Sequence, residues 1–175
     1  MDRRSFIATT VGAAALVIPA KADIFPAEPD VIPAQADAPL VISTWDHGMA
    51  ANAAALAALA SGGSVVDAVE RGVMVTEADP TNLSVGLSGL PDRDGIVTLD
   101  ACIMSGDGRA GSACFLQGIA HPISLARMVM EKTPHVMLVG AGAERFAREN
   151  GITQKPNQLS AEAKKAWEQW LTEKK

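Results

Sequence analysis

Cysteine is scarce: the 175 residues hold two, Cys102 and Cys114, far too few for a small fold stapled by disulfides. The residue types in that pair suit free, buried thiols, although export would also permit joining them. A surplus of basic charge is missing too. The chain carries 15 basic against 20 acidic residues. An acidic chain without a basic patch argues against nucleic acid and anionic membrane as partners. After the first two dozen residues no apolar run is long enough for a membrane-spanning helix, which needs about 20 apolar residues. The three histidines, His47, His121 and His135, show no metal-ligand spacing among themselves or with the cysteines. No Gly-x-Ser-x-Gly elbow occurs.

The N-terminus holds a different kind of signal. Arg3 and Arg4 precede Ser5 and Phe6, then an apolar stretch over residues 7–18 that ends at Pro19, Ala20, Lys21 and Ala22. A charged start, a short apolar core and a small-x-small end describe an export signal. The paired arginines and the mild hydrophobicity of Ala13, Ala14 and Ala15 suit the twin-arginine variety, and a periplasmic destination is expected. Cleavage after Ala22 leaves 153 residues with 12 basic and 19 acidic side chains, a net charge of −7. That is enough chain for one compact domain. Residues 23–39, with Pro26, Pro29, Pro33 and Pro39, read as a spacer, and residues 40–175 as the domain.

Within the domain, residues 39–45 suggest a short buried strand. An alanine-rich helix follows over residues 49–61 and stops at Gly62 and Gly63. Ser64 caps a second helix in which Val65, Ala68, Val69, Gly72, Val73 and Thr76 recur at helical spacing, and Asp79 and Pro80 end it. Residues 82–95 form a glycine-containing loop. Strands are expected over 96–104 and 109–117 around a turn at 105–108. A helix over 122–132, a short strand near 135–139, a helical piece over 144–149 and a last helix opening at Ser160 complete an α/β pattern without repeats.

Familiar motifs fail on inspection. Gly140, Ala141 and Gly142 resemble the start of a dinucleotide loop, but Arg145 stands at the third glycine position. Residues 92–95 (DRDG) resemble part of a calcium loop and lack its later ligands. A Cys102–His dyad competes with the plainer reading of a cysteine in an apolar strand. No cofactor and no metal is called for.

Six ordered blocks carry more information than any of these. They are residues 41–45 (VISTW), 79–86 (DPTNLSVG) running into 91–95 (PDRDG), 97–104 (VTLDACIM), 111–114 (GSAC), 121–124 (HPIS) and 129–140 (VMEKTPHVMLVG). In order and spacing they resemble the N-terminal half of the glycosylasparaginases, over about residues 39–170. Plant-type asparaginases are related, but usually open with a glycine-rich segment where Ser43, Thr44 and Trp45 stand here.

The resemblance implies an N-terminal-nucleophile (Ntn) hydrolase with an αββα sandwich, of which this chain supplies the α-chain half. Members cut themselves before a threonine, whose hydroxyl becomes the nucleophile and whose α-amine acts as base. The substrate is the amide joining N-acetylglucosamine to asparagine, and the products are aspartate and the amino sugar. The threonine lies beyond Lys175, so no catalytic residue is expected among these 175 and the chain alone is expected to be inactive. The implied partner is the β portion of the same precursor, in an (αβ)2 assembly. Two substrate-binding residues carry over by position: Trp45, at the mouth of the family's site beside the sugar, and Ser84, near the nucleophile. Each has a plainer alternative, core packing for Trp45 and a turn-stabilising hydroxyl for Ser84. His47 stands where relatives often carry an aromatic residue. Thr98 and Asp100 receive no chemistry. Alternatives of function are an asparaginase or isoaspartyl peptidase of the same superfamily, and a truncated non-catalytic relative.

Overall fold

The computed structural model describes residues 38–156 and 158–173. The export signal over residues 1–22 and nearly all of the spacer at 23–39 lie outside them.

Helix α1 (Gly48–Ala60) and helix α2 (Val65–Glu77) form an antiparallel-type hairpin joined through Ser61 to Ser64. Ser64 and Asp67 build a reciprocal capping box: the Ser64 hydroxyl accepts from the Asp67 amide at 3.1 Å, and the Ser64 amide donates to the Asp67 carboxylate at 2.8 Å. Two otherwise orphaned donors are satisfied there, which starts α2 where the sequence signal placed it. Arg127 then grips the same helix through Asp67 at 2.6 Å and Glu70 at 2.7 Å, while also bonding Glu131 at 2.8 Å.

Strands β1 (Leu99–Met104) and β2 (Ala110–Leu116) pair antiparallel around the turn at 105–108. Helix α3 (Pro122–Lys132) follows, and strand β3 (Met137–Val139) then joins β2 in parallel, giving the order β1-β2-β3. Helix α4 (Gly140–Glu149) and helix α5 (Ala161–Glu173) close the described chain. Leu99, Ala113 and Leu116 pack with Leu125, Ala143 and Ala147 in one core cluster, and Ile103 packs with Ile123, Ala126 and Met130 in another. Gly111 permits this closeness, since a Cβ there would overlap the Ala126 carbonyl and Met130. The opposite face of the sheet carries Cys102, Met104, Met137 and Val139, all exposed.

A bulge interrupts the hairpin. Leu99 pairs with Leu116 and Ala101 with Ala113, so Cys114 and Phe115 together oppose Asp100. Phe115 sits in the left-handed region at φ 54°. Its amide, displaced from the ladder, donates to the Asp100 carboxylate at 2.6 Å.

Three expectations change. Residues 39–45 are not a strand: no described strand runs beside them, and Leu40 and Ile42 are each 80% exposed. A ladder needs a neighbour, and the apolar pattern alone cannot supply one. The cysteines are free, as expected, but not buried: Cys102 is exposed and Cys114 only partly covered, because both belong to the outward face of the hairpin. Burial nonetheless raises the Cys114 thiol above its ordinary pKa, with Asp100 adding to the effect. Gly140 to Gly142 form the first turn of α4 rather than a loop before it.

Candidate active site

A cleft of about 520 Å³ opens between the 43–48 turn, the C-terminal end of α2, the loop at 84–86, the start of β1 and the N-terminus of α3. Trp45 and Ser84 both line it, although they come from separate segments of the chain. His47, Thr98, Asp100 and Cys102 line the same space. His135 does not, and among the described residues no group of three or more His, Cys, Asp or Glu is arranged to hold a metal ion.

Each wall has a local cause. The Trp45 carbonyl accepts from the Gly48 amide at 2.8 Å, turning the chain into α1. Ser43 adds a hydrogen bond from its hydroxyl to the Asn52 side chain one turn into that helix. Trp45 itself is 70% exposed, so its indole is free to meet a ligand. Ser84 rests on an Asx turn: its amide donates to Asn82 Oδ1 at 2.8 Å, with the Val85 amide on the same oxygen at 3.3 Å. The turn is held by Asn82 and the Ser84 backbone, so the Ser84 hydroxyl is not what stabilises it. Two residues on, Gly86 takes φ 72° and lies flat on the end of α2, where a Cβ would overlap the Glu77 carbonyl oxygen.

Sequence reasoning missed Glu77. Its carboxylate is 5% exposed and sits in the cleft floor. One oxygen accepts from the Ile123 amide at 3.0 Å, and the other meets His121 Nδ1 at 3.1 Å. Burial pushes its pKa above the ordinary 4.5, while the Ile123 and His121 hydrogen bonds oppose that rise. A signal for it did exist: Glu77 falls four residues after Val73 and continues a helical stripe in which a carboxylate is out of place. Asp100 was also left without a role, and its role in the bulge depends on a residue across the hairpin.

A larger groove of about 860 Å³ runs along α1 and α2 toward Arg127. Its one strongly placed cation is already engaged by three carboxylates, which hold Arg127 above its ordinary pKa against the effect of burial. The smaller cleft, with an open indole and an open hydroxyl, is the better-equipped of the two for a ligand.

Comparison with known proteins shows the family. Residues 36–175 match the family model whose description reads asparaginase. An N(4)-(beta-N-acetylglucosaminyl)-L-asparaginase of Elizabethkingia miricola is 55% identical over 133 residues, covering 76% of this chain and 39% of its own length. An isoaspartyl peptidase/L-asparaginase of Rattus norvegicus is 48% identical over 99 residues, 56% of this chain and 29% of the relative. An N(4)-(beta-N-acetylglucosaminyl)-L-asparaginase of Mus musculus is 44% identical over 116 residues, 66% of this chain and 33% of the relative. The chain thus spans about two fifths or less of the curated relatives it matches.

Proposed function

The chain belongs to the asparaginase family, and from that premise we propose that it is the α portion of an exported amidohydrolase that cleaves the bond between N-acetylglucosamine and asparagine. The observation that carries the proposal is the meeting of Trp45 and Ser84 in one open cleft. An exposed indole offers a flat apolar face to the C–H groups of a pyranose. A hydroxyl on a rigid turn can donate to the substrate or orient a neighbouring nucleophile. In this reading the nucleophile is a threonine that follows a self-cleavage point beyond Lys175, and its own amine is the base.

The bare sheet face supports the accompanying architecture. Helices cover one side of β1-β2-β3, while Met104 at 67%, Met137 at 52% and Val139 at 54% exposure stand open on the other. Contiguous apolar surface of this kind marks a contact face. A second sheet from the β portion would cover it and complete an αββα sandwich, and pairs of such units would form (αβ)2. The twin-arginine reading of Arg3 and Arg4 would send the product to the periplasm already folded.

The test is to express the whole reading frame and assay aspartate release from glycosylated asparagine, with N-terminal sequencing of the new chain. Turnover by material whose second chain begins with threonine is expected. Uncleaved precursor without turnover of any amide substrate refutes the proposal. The second reading, an asparaginase or isoaspartyl peptidase, is supported by the likeness to the rat relative. Faster turnover of free asparagine or of an isoaspartyl dipeptide would select it.

A further inference from the structure

Glu77 holds two structural connections at once. Its carboxylate ties the end of α2 to the start of α3, through Ile123 at 3.0 Å and His121 at 3.1 Å, across 46 and 44 residues of sequence. Its carbonyl oxygen is the surface on which Gly86 is seated, in a conformation no larger residue reaches without strain. Ser84 is two residues from Gly86, and the other hydrogen bonds that shape this loop are local to it: the Asn82 turn, the Leu90 amide donating to the Leu83 carbonyl at 3.0 Å and the Gly89 amide donating to the Gly86 carbonyl at 3.0 Å. Moving the end of α2 therefore moves Ser84.

A carboxylate this buried is costly, and helix packing alone does not require one. An apolar residue would fill the same space but would leave the Ile123 amide, in the first turn of α3, without its acceptor. Two titratable groups are near enough to matter. His121 faces Glu77 directly as a hydrogen-bond partner, and Glu70, two turns earlier on α2 and the one like charge of the pair, is drawn off by Arg127. Glu77 is thus locked on one side and supports the loop on the other.

We propose that Glu77 is a positioning residue for Ser84, fixing through its carboxylate the helix end whose carbonyl seats the Ser84 loop. The proposal rests on the amidohydrolase reading above. Misplacement by a fraction of an ångström at a reacting centre costs large factors in rate. Glu77→Asp withdraws the carboxylate by one methylene and cannot keep both tethers. Glu77→Gln keeps both, accepting from Ile123 and donating to His121.

The experiment uses the self-cleaved, full-length protein in a double-mutant cycle with Ser84→Ala. Glu77→Asp should lower kcat/KM on glycosylated asparagine by about tenfold when Ser84 is present, and by at most about twofold when it is absent. Glu77→Gln should stay within about threefold of the parent. Amide exchange at residues 84–86 should quicken in Glu77→Asp while the 99–116 hairpin is unchanged. If Glu77→Asp does not fold, His121→Ala removes one tether only, and the same cycle should give about threefold. Equal losses in both Ser84 backgrounds, unchanged exchange at 84–86, or a Glu77→Gln loss as deep as that of Glu77→Asp would each overturn the proposal. A parent enzyme inactive on every amide would instead refute the amidohydrolase reading, and the exchange measurement would still decide whether Glu77 holds the loop.

Discussion

Removing the indole of Trp45 separates a sugar contact from a structural one. Trp45 is 70% exposed, so Trp45→Ala gives up little packing. A tryptophan buries at most about 250 Å² on folding, and the three tenths covered here amount to roughly 75 Å² or less, about 1–2 kcal/mol at 25 cal/mol per Å². That is an upper bound, because unfolded chains already bury part of such surface. A stable domain survives it. Whatever stability is lost reduces turnover of every substrate alike. A stacked pyranose face should add a loss of about 1 kcal/mol for the glycosylated substrate only, roughly fivefold in kcat/KM. The assay is steady-state aspartate release from glycosylated and from free asparagine by the full-length, self-cleaved protein and its Trp45→Ala variant. The ratio of the two specificity constants should fall about fivefold. An unchanged ratio would refute the stacking argument and make Trp45 a residue that only shapes the cleft.

Residues 38–175 produced alone should release no aspartate and should self-associate through the open sheet face; Met137→Lys should make them more soluble, and the same change should block assembly of the full-length protein, as read by size-exclusion chromatography. Ser64→Ala should cost about 1 kcal/mol in urea unfolding by removing half the capping box. The Ser64 hydroxyl, then Arg127, hold the Asp67 carboxyl well below its ordinary 3.8, so its contribution is complete above that pH and is lost as pH falls below it. Burial raises Glu77 above 4.5, so its contribution runs the other way, present at low pH and declining as pH rises through the raised value; Glu77→Gln should remove that decline from the melting curve. Asp100→Ala should strand the Phe115 amide and destabilise the hairpin by about 1 kcal/mol, measured by thermal unfolding. Lysines in place of Arg3 and Arg4 should stop export, as followed by cell fractionation.

The helices, the hairpin and the family were legible in the residues because their causes are local or ordered along the chain. Ser64 and Asp67 start α2 three residues apart, the turn at 105–108 closes β1 on β2, and Ala163, Ala166 and Trp167 fall on one face of α5 by period alone. Trp45 and Ser84 were found by motif, yet that they share a cleft depends on how α1 packs on α2 and α2 in turn on β1. Only the tertiary structure gave Glu77 and Asp100 their partners, Ile123 and His121 for one and Phe115 for the other. Hydrogen bonds between distant segments leave no period in the sequence. Tertiary structure also overturned the strand at 39–45 and exposed Cys102, because whether an apolar segment is a strand or an open face is decided by what lies beside it.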